Sequence, residues 1–311
     1  MRVLSPTPAA SERPVSRPAI TLIAGPTASG KSRLALEIAA RTGAAIINAD
    51  SQQLYADLRV LTARPSAEDE TQAPHHLYGT VDAAEAWSVG RWTRAVMPLL
   101  ETLRAEGRPA LIVGGTGLYF NALTRGLADI PDVPGEAREA AMALYDTEGE
   151  AAFRLRLTTF DPPAEAAIAA GDRQRLTRAY AVARATGRSL SDWRASTRPL
   201  LEPGSYDRQV IEPDREALYA ACDARVVTML SGGAIDEVRA LAGRELNPVL
   251  PAMKAVGVRE LAAHLAGEIT LATATTAIQQ ATRNYAKRQL TWFRNQCGDW
   301  KRTGRLPPAR R

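Results

Sequence analysis

The chain has 311 residues, 45% of them hydrophobic and 23% charged; that length can bury one large core or two, and the balance is ordinary for a water-facing globular protein. No uninterrupted apolar run is long enough to span a bilayer, and the two cysteines, Cys222 and Cys297, lie far apart and form no C-x-x-C, which excludes a disulfide framework and argues against a structural zinc site. The net charge of +5 is modest but uneven: residues 283–311 carry nine Lys and Arg against the single acid Asp299, with Tyr285, Trp292, Phe293 and Trp300 among them. Basic side chains interleaved with aromatics suit a phosphate backbone and unstacked bases, and equally describe a solvated basic helix and tail.

In chain order, residues 1–18 are rich in Pro, Ser and Ala without periodicity and read as a disordered extension. They hold Arg2, Arg13 and Arg17 but no apolar core of signal-peptide type. Ala19–Ala24 reads as a buried strand. It runs into Gly25-Pro26-Thr27-Ala28-Ser29-Gly30-Lys31-Ser32, the spacing G-x-x-x-x-G-K-[ST], followed by a helical stretch over Lys31–Arg41. In that context the glycines let the backbone approach a polyphosphate, the loop amides and helix N-terminus point at it, Lys31 adds a positive charge, and the Ser32 hydroxyl can ligate Mg²⁺. The spacing does not say which polyphosphate is held.

A second strand, Ala44–Ala49, ends in Asp50-Ser51-Gln52-Gln53. A carboxylate there can hold Mg²⁺ through water, accept a proton from a nucleophile, or simply cap the next helix. His75 and His76 are adjacent, so in extended chain they point oppositely, which argues for structural use over a metal pair. A helix over Gly90–Glu106 leads to a third strand, Ala110–Val113, ending in Gly114-Gly115-Thr116-Gly117. The ends of these three strands should face one site.

After the break Asp129–Gly135, helices are expected over Glu136–Thr147, Glu150–Thr158, Pro163–Ala170 and Asp172–Thr186; a second break at 198–204 precedes a short strand at Gln209–Ile211, and residues 214–296 are mostly helical. The expected fold is α/β: a P-loop NTPase-like parallel sheet with flanking helices, formed by residues 19–127 and 201–296. A helical insertion at 128–200 and a basic tail at 297–311 complete it.

The motifs Gly25–Ser32, Asp50-Ser51, Pro74-His75-His76-Leu77 and Gly114-Gly115-Thr116-Gly117-Leu118-Tyr119 resemble those of the tRNA dimethylallyltransferases (isopentenyl-tRNA transferases). So do Gln174-Arg175-Leu176-Thr177-Arg178-Ala179, Pro251-Ala252-Met253-Lys254-Ala255-Val256-Gly257, and the run from Thr282-Arg283 through Lys287-Arg288-Gln289 to Trp292-Phe293-Arg294. The matches keep their order from about residue 20 to 296, and the absence of the eukaryotic C-terminal zinc finger makes the chain similar to the bacterial form. The resemblance implies transfer of a dimethylallyl group from dimethylallyl diphosphate to the exocyclic amine of the adenosine 3′ of the anticodon, with Mg²⁺ as cofactor. It implies Asp50, Lys31 and Thr116 as catalytic residues, and a diphosphate loop of Gly25, Pro26, Thr27, Ala28, Ser29, Gly30, Lys31 and Ser32. For tRNA it implies Asp50, Ser51, Gln52, Gln53, Thr116, Arg138, Gln174, Arg175, Arg178, Lys254, Arg259, Arg283, Lys287, Arg288 and Arg294. It further implies a cytoplasmic monomer that meets the anticodon arm and needs neither a membrane nor an obligate protein partner.

The chain departs from the family pattern at Ala169-Ala170-Gly171-Asp172, Tyr180, Ala221 and Val258, near the insertion and some expected phosphate or tRNA contacts. Two other classes fit parts of the pattern. The loop and Asp50 alone permit an ATP-dependent kinase of a nucleoside or other small molecule, which has no need of a basic aromatic C-terminus. A non-catalytic RNA-binding protein has no need of Asp50, Lys31, Ser32 and Thr116 together.

Overall fold

The computed structural model describes residues 19–304; the extension expected at 1–18 and the end of the basic tail lie outside the described residues. The backbone divides into two compact units. One runs to Ala86, resumes over Met97–Gly115 and again from Gly204 onward; the other comprises Trp87–Val96 and Thr116–Pro203.

The first unit is built on a six-stranded sheet. Its strands are β1 (Ile20–Ala24), β2 (Ala45–Asn48), β3 (His75–His76), β4 (Ala110–Gly114), β5 (Tyr206–Ile211) and β6 (Lys301–Thr303), in the order β3-β2-β4-β1-β5-β6 with every neighbouring pair parallel. β1, β2 and β4 are short apolar runs without the alternation of a half-exposed strand, as sheets covered on both faces require. Ile23 on β1, Ile46 on β2 and Leu111 and Val113 on β4 pack with Ala35 and Ala39 of the helix Lys31–Thr42. Since the strands are parallel, Gly25, Ala49 and Gly115 all emerge at the carboxyl ends of the strands, where ligands of such sheets bind. The P-loop NTPase-like α/β architecture expected from the sequence is the one observed.

β6 corrects the expectation of a tail beginning at residue 297. Cys297 and Trp300 are buried, and Gln209, Val210 and Ile211 of β5 pair with Lys301, Arg302 and Thr303. Glu212, just past β5, holds Arg294 at 2.6 Å and also binds Arg302. One acid thus neutralises two of the basic side chains and ties the end of the long helix Leu271–Gln296 to the sheet edge.

The second unit contains the helices Gly117–Arg125, Gly135–Thr158, Pro162–Ala167, Arg173–Thr186 and Leu190–Ala195. Gly135–Thr158 is two helices across a kink at Gly149, whose φ of 76° lies in the left-handed region. Phe153, Leu157, Leu176, Ala179, Val182 and Leu190 form its core. Fully buried Asp161 accepts from the backbone amides of Ala164 and Ser191, at 3.1 and 3.0 Å, so no polar backbone is stranded beside that core.

Candidate active site

The phosphate loop joins β1 to the helix Lys31–Thr42. Gly30 precedes the helix with φ 88°, a conformation that β-carbons disfavour, and this lets the chain turn sharply from loop into helix. Lys31 is buried, and its Nζ donates to the Pro26 carbonyl at 3.1 Å. Burial lowers its pKa from 10.5 to about 8, with the negative charge of Asp50 opposing the shift. The Ser29 hydroxyl is fully buried in the loop and has no hydrogen-bond partner. An orphaned polar atom beside a buried ammonium fits a loop built to receive an anion.

Asp50 follows β2 and is 6% exposed. Asn48, fully buried, fixes it: its Oδ1 accepts from the Asp50 amide at 2.7 Å, and its Nδ2 donates to the carbonyls of Asp50 and Leu77 at 3.0 and 2.9 Å. The carboxylate accepts from the Gln52 amide through Oδ1 at 3.1 Å. Gln53 donates to the carbonyls of Thr62 and Ala63, both at 2.8 Å. Those carbonyls belong to a loop held by Glu237, whose two oxygens accept from the amides of Arg59, Val60 and Leu61 at 2.7–2.9 Å.

Residues 27–32, Asp50, Gln52 and Gln53 line one cavity of about 760 Å³. Ala221, Ala224, Met229, Val256 and Ile278 add carbon-rich surface to its lining. Two further side chains in this cavity, Arg225 and Tyr78, are not among the expected site residues. Arg225 donates to the Thr27 hydroxyl at 3.2 Å, and burial lowers its pKa. Tyr78 is held protonated by burial and the nearby Asp50 charge. Gln289 does not line the cavity but binds the loop that does, through Thr27 at 2.8 Å. The sequence signal for Gln289 was its place in the buried stripe Thr282, Ala286, Gln289, Leu290, Phe293 of an otherwise polar helix.

The remaining expected residues are not in this cavity. Thr116 follows Gly115 in the chain and precedes the helix Gly117–Arg125. Arg138, Gln174, Arg175 and Arg178 belong to helices of the second unit, and Lys254, Arg259, Lys287 and Arg288 to the first. Arg283 is bound to Asp223 at 2.5 Å, as Arg294 is to Glu212. His75 Nδ1 meets the Ala73 carbonyl at 2.8 Å. Among the described residues no cluster of three or more His, Cys, Asp or Glu could hold a metal, and no helix is long and apolar enough to cross a membrane. A metal at the loop would therefore rest on the Ser32 hydroxyl and on oxygens of the substrate, the sparse protein ligation that suits Mg²⁺.

The family model described as IPP transferase matches residues 53–296, and that described as isopentenyl transferase matches residues 18–80. A tRNA dimethylallyltransferase of Caulobacter sp. (strain K31) is 57% identical over 289 residues, covering 93% of this chain and 94% of the relative. One of Phenylobacterium zucineum (strain HLK1) is 58% identical over 285 residues, covering 92% of each. The crystal structure of the full-length tRNA isopentenylpyrophosphate transferase of Bacillus halodurans superposes with a TM-score of 0.66 at 31% identity, covering 93% of this chain and 90% of that one. A eukaryotic dimethylallyltransferase acting on tRNA shares the fold, with a TM-score of 0.79 at 24% identity, over 93% of this chain and 74% of that one. With a phosphate loop, a buried lysine and a carboxylate gathered at the carboxyl ends of the strands, and with these matches running along nearly its whole length, the chain belongs to the tRNA dimethylallyltransferase family.

Proposed function

We propose that the protein transfers a dimethylallyl group from dimethylallyl diphosphate to the exocyclic amine of the adenosine 3′-adjacent to the anticodon, giving N6-isopentenyladenosine in tRNA. The observation that carries this reading is the single cavity in which the phosphate loop, Lys31 and Asp50 meet a hydrocarbon wall. A donor with an anionic head and an allylic tail uses both surfaces. The family matches along nearly the whole chain favour this reading over an ATP-dependent kinase.

As the allylic carbon–oxygen bond weakens, negative charge gathers on the departing diphosphate. Loop amides, Lys31 and Arg225 are aimed where that charge develops, which stabilises the transition state more than the ground state. Ser32 would hold Mg²⁺ here, and the ion would supply further charge neutralisation. The adenine amine is a weak nucleophile because its lone pair is delocalised into the ring. Asp50 accepts its hydrogen bond and then its proton. Thr27 orients the diphosphate, and Thr116 the target nucleotide. The amine is normally stacked in the anticodon loop, so the nucleotide must leave its stack to reach Asp50.

For the anticodon arm we assign Asp50, Ser51, Gln52 and Gln53 at the reacting base. Arg138, Gln174, Arg175, Arg178, Lys254, Arg259, Arg283, Lys287, Arg288 and Arg294 serve the backbone. The enzyme works as a monomer in the cytoplasm, where its tRNA substrate resides. The direct test is incubation with labelled dimethylallyl diphosphate, Mg²⁺ and unmodified tRNA, beside a reaction with labelled ATP. Prenylated adenosine is expected; a phosphorylated product without prenylated tRNA would reverse the assignment.

The residues assigned to the tRNA backbone carry their own expected result. Lys287→Gln with Arg288→Gln removes two positive charges from the helix Leu271–Gln296. It should weaken tRNA binding and flatten the slope of log K against log salt by up to about 0.7 for each single-strand phosphate that is no longer neutralised. Filter binding across a salt series reads this, and an unaltered slope would remove both residues from the interface. Arg283→Gln should additionally lower the melting temperature, because Asp223 loses its ion pair, whereas in Arg294→Gln Glu212 keeps Arg302 and the effect should be smaller.

A further inference from the structure

Gln289 comes from the helix Leu271–Gln296, far along the chain from the phosphate loop, and is 5% exposed. Its side-chain amide is used at both ends. Oε1 accepts from the Thr27 amide at 2.8 Å, and Nε2 donates to the Gly115 carbonyl at 2.9 Å. We propose that Gln289 is a positioning residue for the transfer reaction, tying the phosphate loop to the carboxyl end of β4 so that loop and Asp50 keep one geometry. This deepens, and rests on, the diphosphate reading above.

The chemistry of the link restricts the residue type. A primary amide offers an acceptor and a donor side by side from one planar group at this reach; a carboxylate cannot donate, and a hydrocarbon does neither. Spending the Thr27 amide on Gln289 also decides which loop amides remain to face an anion. Arg225 holds the hydroxyl of the same Thr27 at 3.2 Å, so both polar handles of that residue are set by helices outside the loop. At the other end the packing is equally tight. A β-carbon on Gly115 would lie 2.1 Å from Gln289 Nε2 and 3.2 Å from Asp50 Oδ2, which puts Gln289, the Gly115 backbone and the proposed base in direct succession. The same helix carries Lys287 and Arg288, so residues proposed to meet tRNA and the residue that sets the loop share one rigid element.

The test uses full-length protein carrying Gln289→Met or Gln289→Glu. Five quantities are measured: calorimetric affinity for inorganic pyrophosphate, hydrogen exchange at the Thr27 amide, tRNA affinity, melting temperature, and the single-turnover rate at saturating dimethylallyl diphosphate and tRNA. In Gln289→Met, Thr27 exchange should rise and pyrophosphate affinity should fall, each by about tenfold, the worth of one buried hydrogen bond. The single-turnover rate should fall while tRNA affinity stays unchanged. Gln289→Glu keeps the acceptor for Thr27, so its exchange should stay slow while pyrophosphate affinity and rate fall. A residue that only packs would lower the melting temperature and leave both pyrophosphate affinity and Thr27 exchange as in the wild type; that result overturns the proposal. If Gln289→Met does not fold, Gln289→Glu decides, and wild-type pyrophosphate affinity in it overturns the proposal. Failure of the wild-type protein itself to bind pyrophosphate would instead overturn the diphosphate reading, and Thr27 exchange would still report on the link.

Discussion

Asp50→Asn is expected to lower the single-turnover rate of prenyl transfer by about 10²–10⁴-fold, the usual worth of a positioned general base. The substitution is nearly isosteric and retains an oxygen for the Gln52 amide, which Asp50 Oδ1 now binds at 3.1 Å. Asn48 grips the backbone of residue 50 rather than its side chain, at 2.7 and 3.0 Å, so the turn should survive. What disappears is the ability to take a proton from the adenine amine. Dimethylallyl diphosphate and tRNA should therefore bind within about twofold of the wild type, because neither ground-state complex depends on proton transfer. Rapid-quench measurement with saturating donor and an anticodon stem-loop separates the two quantities. A rate within about tenfold of the wild type would show that another group accepts the proton. A collapse of binding with normal turnover of what is bound would make Asp50 a tRNA-binding residue instead.

The parts of this site that can be read from sequence are those in which neighbours in the chain are neighbours in space. Gly25–Ser32 is contiguous, its spacing has a mechanical meaning, and its flanks read correctly as strand and helix. The strands β1, β2 and β4 show themselves because burial on both faces demands unbroken apolar runs. One helix was expected to end at Thr147 and the next to begin at Glu150, and the kink lies between them, at Gly149. β3 and β6 have no such signature. His75–His76 is two residues long and Lys301–Thr303 is three, largely polar, residues, and each becomes a strand only because a longer neighbour offers it an edge. The contacts of Arg225 and Gln289 were hidden for a related reason, although the apolar stripe marks Gln289 as inward-facing. Their partner is Thr27, far away along the chain, and local pattern cannot tell a helix residue that it will be packed on a distant loop. The basic C-terminal run left two readings open because its composition cannot show which charges are paired; Glu212 and Asp223, on other elements, form ion pairs with Arg294, Arg302 and Arg283.

Lys31→Met should reduce the transfer rate at saturating donor by about 10²–10³-fold, the effect of removing about 2.7–4 kcal/mol of preorganised stabilisation from developing charge. The same variant should also change how the protein responds to pH. In the ligand-free protein Lys31 titrates near 8 in place of 10.5 because burial disfavours its charge. Between those two values the unfolded chain holds a proton that the folded chain lacks, so stability should rise as pH climbs through that window. Below a pH of about 8 the full cost of burying the ammonium is present. A diphosphate in the cavity reverses the bias, because its charge favours protonated Lys31. Binding above that pH therefore takes up a proton, and affinity should fall as pH rises, by at most about tenfold per unit. Calorimetry in two buffers of different ionisation enthalpy measures the uptake directly. The wild type should take up a fraction of a proton that grows from about pH 7.5 to about pH 9, on the order of one at the upper end, and Lys31→Met should lack that increment. If both proteins took up the same amount, the titrating group would be the diphosphate or another side chain. A Lys31→Met enzyme with an undiminished single-turnover rate would remove the lysine from the mechanism altogether.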